Sequence, residues 1–353
     1  MRRTHLLQVL TGVAAASVAC ALDIKRRRSQ NTHGTENRIV LVTGGSRGLG
    51  FAIAERFARG GNKLVLTARN VDELTAARNS LLKRGAILTE EDVLLIPADL
   101  TDQSQARNLV EHAIGHFGRI DVLVNNAGII EVGPVEDQPI RAYRDAMETN
   151  FFAGLYVIQA ALPFMLQRDR RNPAAIVNIG SIGGKVAVPH MLPYTASKFA
   201  FVGFSEGLHS ELRHKGIIVT TVCPGLMRTG GHTHAKFVGD RRKEERWFNL
   251  AATTPIVAAS VKHAANSIYR AVAQGRAEIT ITPQAWLAAR AVGVAPEAVQ
   301  RLASLANEFV LPSPLAAGST VPQSQQDASV DSGDEPGSVT TAPWAHSSNQ
   351  SVM

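Results

Sequence analysis

The stretch RIVLVTGGSRGLG, residues 38–50, constrains this chain more than any other. Residues 39–42 are β-branched and aliphatic, which suits a strand covered on both faces. Three glycines follow, Gly44, Gly48 and Gly50, and then FAIAERFAR, with apolar residues at helical spacing and a Gly pair behind it. Strand, glycine turn and helix together make a phosphate cradle. Glycine lets the backbone turn tightly and approach a pyrophosphate, while the helix N-terminus offers free N–H groups and a partial positive charge. The spacing is G-x-x-x-G-x-G rather than G-x-G-x-x-G, so this turn needs support from the rest of the chain.

That support begins with a rhythm. Apolar strand-like runs fall at residues 62–69, 93–99, 120–125, 175–179, 217–222 and 277–281. Helical spacing fills the intervals, at about 71–84, 102–117, 140–168, 194–215 and 255–274, with Asn70, Asp72, Thr101 and Asp102 as capping candidates. Such alternation predicts a single α/β domain, a Rossmann-type doubly wound parallel sheet of about seven strands with helices on both faces. Ligands then bind at the carboxyl edge, where the strand order reverses. Residues 225–254 break the rhythm with a polar insertion, expected to overhang the site as a lid. Its His232 and His234 lack a carboxylate or Cys pattern nearby and read as loop histidines, so no metal site is expected. Residues 284–310 read as one further helix, packed over the domain or against another copy.

The 353 residues, 45% hydrophobic and 19% charged, suffice for a globular core. Much of the net charge of +7 comes from Arg2, Arg3, Lys25, Arg26, Arg27 and Arg28, outside the domain, and no zinc or nucleic-acid motif accompanies it. Only Cys20 and Cys223 are present, which excludes a disulfide framework. Residues 1–33 form a hydrophobic leader around LLQVLTGVAAASVACAL. It reads either as a short membrane anchor, with the domain that follows on the cytoplasmic side by the positive-inside rule, or as a signal peptide cleaved near Ala19-Cys20-Ala21 on export. A leader with no address is the third reading. The domain itself spans 34–311. Residues 312–353, rich in Ser, Gly, Pro, Gln and Ala, have the composition of a disordered tail.

The chemistry sits in five features in one order: TGGSRGLG at 43–50, NNAG at 125–128, Asn150, Ser181, and Tyr194-Thr-Ala-Ser-Lys198, with Pro224-Gly225 and Thr229 behind them. Tyr194 and Lys198 are four residues apart on one predicted helix and share a face. Free tyrosine holds its proton to about pH 10. An ammonium beside it stabilises the phenolate, so the pair suits proton transfer. Ser181, just past a strand at the same edge, can hold an oxygen where charge develops.

In these motifs the chain resembles the short-chain dehydrogenase/reductase family over about residues 38–281. The resemblance implies an oxidoreductase that interconverts a carbonyl and an alcohol by hydride transfer. Tyr194 would be the general acid in reduction and the base in oxidation. Lys198 would lower its pKa and hold the nicotinamide ribose, Ser181 would orient the substrate oxygen, and Asn150 would support a proton-relaying water. Ser46, Gly48 and Leu49 would belong to the phosphate turn, and Asp99 and Leu100 would contact adenine. Asn126, Ala127 and Gly128 would line the cofactor, with Pro224, Gly225 and Thr229 flanking the nicotinamide. A homodimer or homotetramer would pair the helices carrying Asn150 and Tyr194.

The choice of cofactor rests on charge. An NAD site usually carries an acid at the end of the second strand. Here Thr67-Ala-Arg69 stands there, and Arg47 lies in the turn, so two guanidinium groups favour the 2′-phosphate of NADP. The expected direction is ketone or aldehyde reduction. An apolar substrate would meet Trp247, Phe248 and Leu250 in the lid. The alternative is a non-catalytic NADP-binding sensor or scaffold, which typically lacks the Tyr or the Lys.

Overall fold

The computed structural model describes residues 34–169, 171–228, 235–253 and 259–314. Strand β1 (Ile39–Thr43), buried at every position, leads through the glycine turn into α1 (Gly48–Ala58). Then come β2 (Lys63–Ala68), α2 (Val71–Lys83), β3 (Val93–Pro97), α3 (Gln103–Phe117) and β4 (Val122–Asn125). Asn70 caps α2 by accepting from the N–H groups of Asp72 and Glu73 at 2.8 and 3.0 Å. Asp102, not Thr101, caps α3.

The second half begins with the short β5 (Glu131–Val132), α4 (Ile140–Met147) and α5 (Ala153–Met165), joined by a π turn at Glu148–Phe152. It continues with β6 (Ala174–Ile179), α6 (Leu192–Leu212) and β7 (Ile217–Pro224). After β7 come β8 (Met227–Arg228), β9 (Lys236–Phe237), α7 (Arg241–Thr253), β10 (Ala259–Ser260), α8 (Val261–Ala273), β11 (Glu278–Ile281), α9 (Pro283–Val294) and α10 (Pro296–Phe309).

Seven strands form one parallel sheet in the order β3-β2-β1-β4-β6-β7-β11. The order reverses between β1 and β4, and that is where a crevice opens at the carboxyl edge. Alternate residues of β1 feed the two faces. Val40 and Val42 pack with Ile53, Phe57 and Ile268, whereas Leu41 packs with Leu109, Val157 and Met165. Both faces are covered, so the strand reads as an unbroken apolar run. Each such side chain contributes about 1.5–3 kcal/mol on burial.

Three expectations need correcting. The helix expected at 140–168 is interrupted by the π turn, which holds Asn150, and ends at Met165. The helix expected at 284–310 is two helices parted at Ala295, whose φ of −140° and ψ of 65° are not helical. Pro296 is the cause: it lacks an N–H and pushes the preceding residue out of the helical region. The helix expected from 255 starts at Val261, capped by Ser260, whose hydroxyl accepts from His263 N. Readings that fell on residues 1–33, on Thr229, His232 and His234, and on 315–353 lie outside the described residues. Among the described residues no helix is long and apolar enough to cross a membrane.

Candidate active site

The crevice at the switch point widens into a cavity of about 630 Å³. Of the residues singled out in the sequence, Gly44, Ser46, Arg47, Gly48, Leu49, Arg69, Asp99, Leu100, Asn126, Ala127, Gly128, Ser181, Tyr194, Lys198, Pro224 and Gly225 line it. Gly50 and Asn150 stand behind that lining.

The turn that heads the cavity is built for close approach. Gly44 and Gly48 have φ of 60° and 57°, the left-handed region that glycine enters without penalty. A Cβ on Gly50 would lie 2.1 Å from Gly44 O, so backbone meets backbone there. Asn126 locks the arrangement by donating from Nδ2 to the carbonyls of Thr43 and Gly44 at 3.0 and 3.1 Å. Thr43 Oγ1 accepts from the N–H groups of Asn126 and Ala127 at 2.9 and 3.1 Å. Unlike α2 and α3, α1 has no side-chain cap, and unlike α2 it has no acid in its first turn. Its first N–H groups, at the cavity wall, therefore suit an anionic ligand. A cavity headed by an uncapped helix and a glycine cradle fits a dinucleotide pyrophosphate.

At the other end, α6 brings Tyr194 and Lys198 against the end of β6. Lys198 is 5% exposed and donates from Nζ to Ile179 O at 3.0 Å. Its Nζ lies 5.8 Å from the Tyr194 ring centroid. Burial lowers the Lys198 pKa to about 8. Burial raises that of Tyr194, and a hydrogen bond with Ser181 opposes the rise. Ser181 Oγ also accepts from Gly183 N at 3.0 Å. Cys223, on β7, is buried, which pushes its thiol up to about 12. Asn150 Oδ1 accepts from Ile129 N at 2.8 Å, while Nδ2 donates to Ile129 O at 3.1 Å and Ser197 Oγ at 2.9 Å. It thereby ties the loop after β4 to α6. The wider turn of a π-helix is a recurring device at functional sites.

The described part of the lid is fastened to the domain. In a short parallel ladder with β5, Lys236 N donates to Ile130 O at 3.0 Å and Val238 N to Val132 O at 2.9 Å. Trp247 and Phe248 of α7 pack in one cluster with Val132, Met191 and Tyr194. Leu250 does not join them, being 70% exposed. Sequence reasoning missed what holds α7 down. Glu244 is fully buried and accepts from His190 Nδ1 at 2.8 Å and Trp247 Nε1 at 2.6 Å. His190 sits four residues before Tyr194 and has a left-handed φ of 62°. Neither residue belongs to a recognisable spacing, because the pair forms across 54 residues. Replacing Glu244 with Ala strands a buried donor on His190 and a half-buried one on Trp247 and should cost about 2–4 kcal/mol, whereas Glu244→Gln, keeping an acceptor, should cost less. Urea denaturation of the two variants against wild type measures both.

Glu73 and Thr149, which also line the cavity, were not signalled either. Among the described residues no group of three or more His, Cys, Asp or Glu is placed to hold a metal ion.

Known proteins are similar to this chain in sequence and in fold. The family model for short chain dehydrogenases matches residues 38–236. Dehydrogenase/reductase SDR family member 7 of Homo sapiens is 38% identical over 192 residues, 54% of this chain and 56% of that protein. Dehydrogenase/reductase SDR family protein 7-like of Anopheles gambiae is 32% identical over 271 residues, 77% of this chain and 83% of that protein. Among solved structures, a short-chain dehydrogenase/reductase from Burkholderia phymatum in complex with NAD superposes with a TM-score of 0.66 at 23% identity, covering 80% of this chain and 99% of that one. The Pseudomonas aeruginosa RhlG/NADP active-site complex gives a TM-score of 0.61 at 28% identity, covering 70% and 95%. One neighbour thus holds NAD and the other NADP. With sheet order, glycine turn and family match in agreement, the chain belongs to the short-chain dehydrogenase/reductase family, oxidoreductases that act on carbonyl and alcohol groups with a nicotinamide cofactor.

Proposed function

We propose that the protein reduces an apolar ketone or aldehyde, with NADPH as reductant and Tyr194 as the proton donor. The observation that carries this reading is the convergence of Tyr194, Ser181 and Lys198 on the cavity headed by the glycine turn. When bound, the nicotinamide supplies a hydride to the carbonyl carbon. Ser181 donates a hydrogen bond to the carbonyl oxygen, and Tyr194 delivers the proton that completes the alcohol. The Lys198 ammonium stabilises the phenolate left behind. Asn150 acts as a positioning residue, fixing the backbone at Ile129 and, through Ser197, the first turns of α6. The first turn of α1 and residues 126–128 would hold the pyrophosphate and nicotinamide ribose, with Pro224 and Gly225 beside the ring and Asp99 and Leu100 beside adenine.

Arg47 and Arg69 support NADP, since both line the cleft and no carboxylate ends β2. An apolar substrate is supported by the cluster of Val132, Met191 and Phe248 against which Tyr194 packs. The leader at 1–33 would place the domain, 34–311, at the cytoplasmic face of a membrane, and the molecule would assemble as a homodimer or homotetramer.

The test follows oxidation of NADPH, and separately NADH, against ketones and aldehydes from small to steroid-sized. Turnover with NADPH preferred supports the reading. Preference for NADH removes the roles given to Arg47 and Arg69. Tight NADPH binding with no turnover on the whole panel favours a sensor.

The pH dependence has a definite sign. Below about pH 8 Lys198 carries its proton in the free protein, and above it the ammonium is progressively lost. Tyr194, raised by burial, keeps its proton through that window. For carbonyl reduction, kcat/KM is therefore expected to be level below pH 8 and to fall above it, since this parameter reports free-enzyme groups. A profile that rises through pH 8 would remove Lys198 from the mechanism.

A further inference from the structure

The adenosine end of the cleft holds a carboxylate that no motif announces. Glu73, in the first turn of α2, lines the cleft with Arg47, Arg69 and Asp99. Its Oε1 accepts from Arg47 Nη1 at 2.7 Å, and its Oε2 accepts from Ser46 Oγ at 2.9 Å. The side chains of Arg47 and Glu73 are 52% and 38% exposed, so their pairing adds little to the stability of the fold. The pair also borders a second groove of about 400 Å³, lined by Ser46, Arg47, Phe51, Glu73, Ala76 and Ser80. Arg47 and Glu73 thus have space on two sides.

We propose that Glu73 is a specificity-determining residue, which occupies Arg47 and so restrains the preference for the 2′-phosphorylated nicotinamide nucleotide over the unphosphorylated one. This rests on the reading that Arg47 and Arg69 receive the 2′-phosphate. A phosphate monoester carries a charge of about −1.5 to −2. To reach Arg47 it must either displace Glu73 or lie beside it, and both cost binding energy. A ribose 2′-hydroxyl meets no such repulsion and can donate to a carboxylate. Arg69 makes no ion pair among the described residues and remains the cation open to the phosphate.

The experiment is a fluorescence titration of the intact protein with NADPH and NADH, repeated with 2′,5′-ADP and 5′-ADP to isolate the adenosine end. Glu73→Gln keeps the size of the side chain and removes its charge. It is expected to tighten NADPH and 2′,5′-ADP by about tenfold and to change NADH and 5′-ADP by less than about twofold. Glu73→Ala should move the ratio in the same direction. Arg47→Gln should weaken NADPH more in the Glu73→Gln background than in wild type, because only there is Arg47 released. An unchanged NADPH to NADH ratio overturns the proposal. So does a weakened NADPH, which would mean that Glu73 presents Arg47 to the phosphate. A wild type that binds NADH more tightly than NADPH counts against NADP as cofactor but leaves the shift in ratio as a separate readout of Glu73.

Discussion

Replacing Tyr194 with phenylalanine is expected to lower turnover by about 10³-fold while leaving NADPH affinity within about twofold of wild type. The ring survives the change, so packing survives with it. Gly183 lies close enough that a Cβ there would stand 3.2 Å from the Tyr194 ring and 3.4 Å from Ser181 Oγ. What is lost is the phenolic proton at the end of the cavity that Ser181 and Lys198 share. Single-turnover oxidation of NADPH with the substrate found by the carbonyl panel measures the first quantity, and fluorescence titration the second. Unaltered turnover would reject Tyr194 as the acid.

The second large effect lies at the opposite end. Gly50→Ala should weaken NADPH by at least about 100-fold and destabilise the domain by about 2–4 kcal/mol. The new methyl group would lie 2.1 Å from Gly44 O and 2.5 Å from Asn126 Nδ2. Neither neighbour can yield alone, because Asn126 is bonded to both Thr43 O and Gly44 O. Gly115→Ala supplies the control. That glycine is exposed on α3, with nothing within 4 Å of an added Cβ. There alanine should stabilise by about 0.5–1 kcal/mol through helix propensity. Thermal unfolding of both variants, with NADPH titration, separates damage to the cradle from a general effect of added methyl groups.

The sheet and most of the cavity lining were legible because they are written locally. β1 needs an apolar run, α2 needs Asn70 at its start, and the cradle needs Gly44, Gly48 and Gly50 within seven residues. Tyr194 and Lys198 are neighbours by helix geometry alone. The rest depends on contacts between distant parts of the chain. Glu244 reads as one charge among RRKEER until the fold brings it against His190. Glu73 reads as an ordinary first-turn acid, favourable to the dipole of α2, until the turn before α1 delivers Arg47 and Ser46 to it. The π turn holds Asn150, whose partners Ile129 and Ser197 lie 21 and 47 residues away, beyond the reach of local spacing. The break at Ala295 is legible in Pro296, which lacks an N–H and pushes the residue before it out of the helical region.

The fastening of the lid has a consequence for how a substrate is selected. β9 is laddered to β5, β8 to β10, and Glu244 is held between His190 and Trp247. The ordering entropy of this wall is met when the chain folds, not when a molecule enters. Where the described part of the lid packs beside Tyr194, a ligand therefore meets a surface of set contour. Discrimination among carbonyl compounds should then follow fit to that contour, with rejected molecules failing on shape at entry rather than by failing to induce closure.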